Sequence, residues 1–167
     1  MDYATSHEQP CQPSQDQRAG ENLSQLVELL LRAPGAVTWS ERVELLHRVL
    51  GDDVCRQLGV YRLPAGFLLS VVIPVYNEAQ TIEQVIARVR GTELPLEIIL
   101  VDDGSTDGTR DVLQRVANGQ DCRIILHDIN LGKGAAVKSG LGAARGDVVV
   151  IQDADMEYDP RDLRWLL

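Results

Sequence analysis

The sequence predicts an α/β fold: a doubly wound, mainly parallel sheet preceded by a small helical N-terminal region. Three observations predict it. From residue 68 onward, short and almost continuous apolar runs rich in β-branched residues alternate with stretches of helical periodicity. Strands that are apolar along their whole length belong to parallel sheets, because crossover helices cover both faces. Polar residues gather just after each apolar run, at the carboxyl edge where open parallel sheets bind ligands.

The elements follow in order. Residues 1–22 are rich in Gln, Ser, Pro and charge, and read as a disordered tail. Residues 23–32 carry Leu26, Val27, Leu29, Leu30 and Leu31, a short amphipathic helix stopped by Ala33-Pro34-Gly35. A second helix starts after Thr38, with Ser40 as an alternative cap, and places Val43, Leu46, Val49 and Leu50 at helical spacing. A third segment near 54–58 leads to Gly59, and Pro64-Ala65-Gly66 closes a helical extension over 23–66. That extension either packs on the main domain or meets a partner. The α/β region occupies 67–167, with strands expected at 68–75, 97–101, 122–126 and 148–151 and helices at 81–90, 108–117 and 134–144. Crossovers between parallel strands should be right-handed. Asp159-Pro160 reads as an N-cap followed by Pro in a first helical turn, and the sequence stops inside that helix. It therefore reads as the N-terminal half of a longer domain. Trp39, Tyr61, Phe67 and Trp165 read as packing residues.

Composition narrows the function. At 167 residues and 44% hydrophobic content, the chain can build one packed domain. Twenty-five acidic against 16 basic side chains give a net charge of -9, which argues against a binder of nucleic-acid backbones. A small phosphorylated ligand, held by a few placed groups and a divalent cation, remains compatible with that charge. Cys11, Cys55 and Cys122 form no CxxC pair, so neither a zinc site nor a disulfide framework is expected, and a reducing compartment is the default. No apolar run approaches the ~18 residues that span a bilayer, and the polar first residues lack the apolar core of a signal peptide. The expectation is a cytoplasmic chain, either soluble or peripheral at the cytoplasmic membrane face.

Chemistry should sit at the strand exits. The first strand exits into Pro74-Val75-Tyr76-Asn77-Glu78, the second into Asp102-Asp103-Gly104-Ser105. The third runs through His127-Asp128 into Asn130-Leu131-Gly132-Lys133-Gly134, and the fourth into Asp153-Ala154-Asp155-Met156-Glu157. Asp153, Asp155 and Glu157 alternate, so a continuing strand would turn all three to one side. Such a trio repels itself unless protons or a hard cation compensate, and Mg²⁺ or Mn²⁺ suits oxygen ligands; the bland alternative is a solvated acidic turn. The Asp103–Gly108 stretch does not make a calcium loop, since Gln114 stands where a bidentate Glu is needed and a strand precedes it. It reads as a strand-to-helix turn capped by Asp107 or Thr106, leaving Asp103 to accept from a base or ribose. Lys133, between glycines ahead of a helix, can reach a phosphate, though no Walker A pattern is present. Gly140-Leu141-Gly142 with Gly146 lies at a helix end and is not a dinucleotide fingerprint. His7, His47 and His127 are scattered, without the context of a hydrolytic triad.

Four segments in this order, 72–78, 99–109, 130–136 and 152–155, resemble family 2 glycosyltransferases of the GT-A fold, in particular the dolichol-phosphate mannosyltransferase and polyprenyl-phosphate glycosyltransferase branch. The resemblance covers about 68–167 and implies a Rossmann-like nucleotide-binding half. It implies that Pro74, Tyr76 and Glu78 hold the nucleoside of a sugar nucleotide and that Val101 and Asp103 contact its base. Asp153, Ala154 and Asp155 would be the D-x-D segment bridging metal and diphosphate, with Lys133 in the Gly-Lys-Gly loop. Where lipid-phosphate mannosyltransferases often carry Gln as a further ligand, this sequence has Glu157, which keeps an oxygen donor and adds charge. The implied function is metal-dependent, inverting transfer of a sugar from a UDP- or GDP-linked donor to an acceptor such as a polyprenyl or dolichyl phosphate. The general base and acceptor groups belong to the second half of such a domain, so no catalytic base is assigned here. Two other functions compete: a nucleotidyltransferase, which would carry a Gly-rich basic loop after the first strand, and a nucleotide- or partner-binding fragment without turnover.

Overall fold

A computed structural model describes residues 38–117 and 121–163. The expectations for the tail and first helix, and for Trp165, lie outside the described residues. Helix α1 (Trp39–Leu50) begins at Thr38 and not at Ser40. Thr38 and Glu41 form a reciprocal capping box: Glu41 N donates to Thr38 Oγ1 at 3.3 Å and Thr38 N donates to Glu41 Oε2 at 2.8 Å. Gly51, at φ 81, turns the chain into the short helix α2 (Asp52–Gln57). Val43, Leu45 and Cys55 are buried, and Trp39, Leu63 and Phe67 lie against the main core. The described part of the helical region thus packs on the α/β unit. Tyr61 departs from the packing expectation and is 53% exposed.

The remaining elements alternate strictly: β1 (Leu69–Val75), α3 (Ile82–Arg90), β2 (Leu96–Asp102), α4 (Thr109–Val116), β3 (Cys122–Leu126), α5 (Lys133–Ala143) and β4 (Val148–Ile151). The sheet is parallel throughout, in the order β3-β2-β1-β4. The chain steps outward from β1 to β3 and then returns to pair β4 on the other side of β1. That reversal creates a crevice between the carboxyl ends of β1 and β4, the place where doubly wound sheets bind ligands. Period-two alternation sorts the buried residues into two faces. Leu69, Val71, Ile73, Val75, Ile98 and Leu100 meet Ile82, Val85, Ile86 and Val89 of α3 and Leu113 of α4. Val72, Ile99 and Val101 meet Ala136 of α5 on the opposite face.

Gly140 explains how closely α5 lies on the sheet. A Cβ there would come within 2.3 Å of Val72 Cγ1 and 3.3 Å of Val101 Cγ2. Gly146 is as confined, since a Cβ there would come within 2.5 Å of the Leu68 carbonyl oxygen; Gly140 and Gly146 therefore serve packing, in keeping with the rejection of a dinucleotide motif. One expectation fails at the edge. β4 is not covered on both faces: Val148, Val149 and Ile151 are 42%, 38% and 48% exposed. Among the described residues, α5 lies over β1 and β2 instead of β4. After β4, Asp159 Oδ1 accepts from Arg161 N at 3.0 Å and starts a 3₁₀ turn (Pro160–Asp162), the predicted cap on a tighter helix. No described helix is long and apolar enough to cross a membrane.

Candidate functional site

A cleft of about 240 Å³ opens at the carboxyl ends of β1 and β4. Pro74, Val75, Tyr76 and Glu78 reach it from β1, Asp103 from β2, Asn130, Lys133 and Ala136 from the β3–α5 connection, and Asp153, Ala154 and Asp155 from β4. Every residue predicted for the site lines this cleft except Val101 and Glu157. Val101 is fully buried in β2, its side chain turned to the α5 face. Asn130 and Ala136 line the cleft without having been assigned a role by the sequence; Ala136 follows from its place one turn into α5.

The first two exits are latched together. Asn77 sits at φ 55, a left-handed conformation that Asn tolerates better than most residues. Its N–H donates to Ser105 Oγ at 2.9 Å, and its Oδ1 accepts from Thr106 N at 2.9 Å. Glu78 N donates to Thr109 Oγ1 at 2.9 Å and Ala79 N to Asp107 Oδ2 at 3.3 Å. The N-cap of α4 is Gly108 and neither Asp107 nor Thr106, but Asp107 Oδ1, one residue earlier, accepts from Thr109 N at 3.0 Å and so still serves the first turn. These contacts hold Tyr76 and Glu78 at the cleft.

The two adjacent aspartates of β2 have separate tasks. Asp102 is fully buried; Arg110 Nε donates to its Oδ2 at 2.7 Å, and Arg110 also donates to the His127 carbonyl. Asp102 is a structural anion between β2 and α4. Asp103 Oδ1 accepts from His127 Nδ1 at 2.7 Å and Leu131 N at 3.0 Å, while Oδ2 accepts from Gly132 N at 2.7 Å. Burial alone would push the Asp103 carboxyl up, but these hydrogen bonds together hold it below its ordinary value. Asp103 is therefore not the uncommitted acceptor the sequence suggested, although Oδ2, with one hydrogen bond, keeps acceptor capacity. His127 Nε2 meets Ser139 Oγ at 2.9 Å. His127 thus has a serine and a carboxylate partner, which the sequence spacing concealed. Ser139 does not line the cleft. The Asp103–His127–Ser139 line fixes the 130–132 loop to α5.

On the other wall, Lys133 Nζ lies 2.7 Å from Asp153 Oδ1. The hydrogen bond to Asp153 raises the Lys133 ammonium above its ordinary value, and the nearby Asp155 charge adds to it. β4 ends at Ile151 and the chain bends through 154–158, so strand alternation does not carry past Asp153. Gln152 Nε2 braces this bend by donating to the Tyr158 carbonyl at 3.2 Å. Asp153 and Asp155 line the cleft, whereas Glu157 is exposed, does not line it, and donates its N–H to Asp155 Oδ1 at 3.2 Å. Among the described residues, no cluster of three or more His, Cys, Asp or Glu can hold a metal by itself. Two convergent carboxylates do fit a hard divalent cation that takes its other oxygens from a bound ligand, the usual manner of Mg²⁺ at phosphate sites.

The sequence model of glycosyl transferase family 2 matches residues 70–167, the whole strand-and-helix unit and every wall of the cleft. The chain belongs to that family. Among its relatives is an undecaprenyl-phosphate 4-deoxy-4-formamido-L-arabinose transferase of Pseudomonas syringae pv. syringae, 38% identical over 101 residues, covering 57% of this chain and 30% of the relative. The chain thus spans about a third of that relative's length. Among solved structures, a mannosyltransferase from Pyrobaculum calidifontis in complex with GDP-Man and Mn²⁺ superposes with a TM-score of 0.55 at 26% identity, over 90% of this chain and 41% of that one. Glucosyl-3-phosphoglycerate synthase from Mycobacterium tuberculosis, in complex with Mn²⁺, UDP and phosphoglyceric acid, gives 0.51 at 33% identity, over 61% and 38%. The Rossmann-like nucleotide-binding half of a GT-A glycosyltransferase is therefore the fold of this chain.

Proposed function

We propose that this chain forms the donor-binding half of a metal-dependent, inverting glycosyltransferase that moves a sugar from a nucleotide sugar to a polyprenyl or dolichyl phosphate. The observation that carries the reading is the pairing, across one cleft, of a wall bearing Tyr76, Glu78 and Asp103 with a wall bearing Asp153, Asp155 and Lys133. UDP or GDP as the leaving group is supported by the nucleotides in the two solved relatives, and the lipid phosphate by the name of the arabinose transferase. A peripheral place at the cytoplasmic membrane face would bring the chain to such an acceptor.

The half-exposed ring of Tyr76 offers an apolar face to a base, and Glu78 and Asp103 offer acceptors to base or ribose groups. Asp153 and Asp155 would hold Mg²⁺ or Mn²⁺ against the diphosphate; Glu157 would join them only after the 154–158 bend rearranges. When bound, the cation supplies electrostatic stabilisation of the charge that develops on the departing nucleoside diphosphate. Lys133 adds a second positive charge on the same side, where α5 begins and the positive end of its dipole adds to it. A lipid phosphate is already anionic, so an acceptor of that kind needs no strong base from this half.

Thermal unfolding with UDP-, GDP- and dTDP-sugars, with and without Mn²⁺, tests the proposal. A Mn²⁺-dependent rise in Tm with one nucleotide, lost in Asp155→Ala, is the expected result. Stabilisation by bare triphosphates and not by sugar nucleotides would favour the nucleotidyltransferase reading. A folded sample that no donor stabilises, with or without Mn²⁺, overturns the donor site.

A further inference from the structure

The Lys133–Asp153 contact does more than line the cleft. Asp153 is a carboxylate in a crevice with a second carboxylate two positions away, and its side chain is only 23% exposed. Lys133 is 64% exposed, on a flexible stem, and bonded to Asp153 Oδ1 at 2.7 Å. The flanking Gly132 and Gly134 leave open space, since a Cβ at either would meet nothing within 4 Å. Asp155, by contrast, accepts from the Glu157 N–H at 3.2 Å and has no ion pair among the described residues. Of the two carboxylates that the β4 exit brings to the cleft, Asp153 is paired with the protein's own cation and Asp155 has no such partner among the described residues.

We propose that Lys133 is the internal counter-ion of Asp153, occupying the metal's side of that carboxylate until a diphosphate arrives, and then transferring its ammonium to the phosphate. This rests on the donor-site reading above. In the nucleotide-free protein, a cation that takes Asp153 Oδ1 must displace Lys133, and the displaced ammonium exchanges that contact for water. With a nucleoside diphosphate present, the same displacement gives Lys133 an anionic partner. Lys133 thereby makes metal and nucleotide binding depend on each other, and such a coupling is reciprocal. It is a positioning residue for Asp153 and a contact for the diphosphate.

Mn²⁺ binding, followed by the EPR signal of free Mn²⁺, tests this without any turnover. The parent protein, Lys133→Gln and Lys133→Arg are titrated alone and again with saturating UDP or GDP. An exposed ion pair of this kind is worth a small factor, so Lys133→Gln should bind Mn²⁺ about two- to fivefold more tightly than the parent without nucleotide. The gain in Mn²⁺ affinity on adding nucleotide should be smaller in Lys133→Gln than in the parent, and Lys133→Arg should follow the parent in both series. Equal or weaker Mn²⁺ binding by nucleotide-free Lys133→Gln, while the parent still responds to nucleotide, overturns the inference and leaves the donor site intact. A parent whose Mn²⁺ affinity neither nucleotide changes overturns the donor reading and the inference with it.

Discussion

Asn77 accepts the backbone N–H of Thr106 at 2.9 Å while holding a left-handed φ of 55, so one residue both bends the β1 exit and fastens it to the β2 exit. Two substitutions separate these contributions. Asn77→Gly removes the side-chain bond but adopts the same backbone freely, whereas Asn77→Val removes the bond and adds steric strain. Urea unfolding should find Asn77→Val about 1–2 kcal/mol less stable than Asn77→Gly, and both below the parent. Equal midpoints for the two variants would show that the left-handed turn stores no strain.

Arg110 and Asp102 make the second prediction. Asp102 has no exposed side-chain surface, and Arg110 is its ion-pair partner at 2.7 Å. Arg110→Ala leaves a buried carboxylate without its cation and should destabilise the fold by about 3 kcal/mol, the lower end for a broken buried pair because Arg110 is partly solvated. The double variant Arg110→Ala with Asp102→Asn should recover part of that loss in the same unfolding assay.

A pH dependence follows from Asp103. Its carboxyl is held below the ordinary value in the folded chain, where His127, Leu131 and Gly132 outweigh the opposing effect of burial. On acidification the unfolded chain takes up this proton first, at its ordinary value of about 4. The stability that Asp103 contributes is therefore complete above that value and is lost as pH falls toward the folded value. Urea midpoints measured from pH 6 to pH 3 should fall less steeply for Asp103→Asn than for the parent. Parallel curves would mean that Asp103 titrates alike in both states.

Much of this was legible in the sequence, because the signals were local. Val71, Val72, Ile73 and Ile98, Ile99, Leu100 announce strands buried on both faces, and Thr38 with Glu41 announces a helix start. The placement of Asp103, Lys133 and Asp155 in one cleft followed from parallel topology alone. What remained hidden depends on contacts across the sheet. Nothing near His127 in sequence reveals that Ser139 and Asp103 flank it. Nor does the D-x-D spacing show that the strand stops at Ile151 and that Glu157 does not line the cleft. The resemblance implies a base contact for Val101, but the pleat sends its side chain into the core beneath α5. The place of Gly140 at a helix end was enough to set its dinucleotide-like spacing aside, but that a Cβ there would meet Val72 is visible only in the packed structure.

The place of β4 in the sheet has a kinetic consequence. The Asp147 carboxylate accepts from Leu68 N at 2.9 Å, joining residues 79 positions apart, and β4 then pairs with β1 instead of its predecessor β3. Closing so long a stretch of chain is entropically slow, so this pairing belongs late in folding. A chain that has assembled only β1, β2 and β3 already owns the wall with Tyr76, Glu78 and Asp103, but the two acidic groups of the other wall arrive with the last strand. A ligand that touches both walls ties that last strand down, and it would act chiefly by retarding its departure.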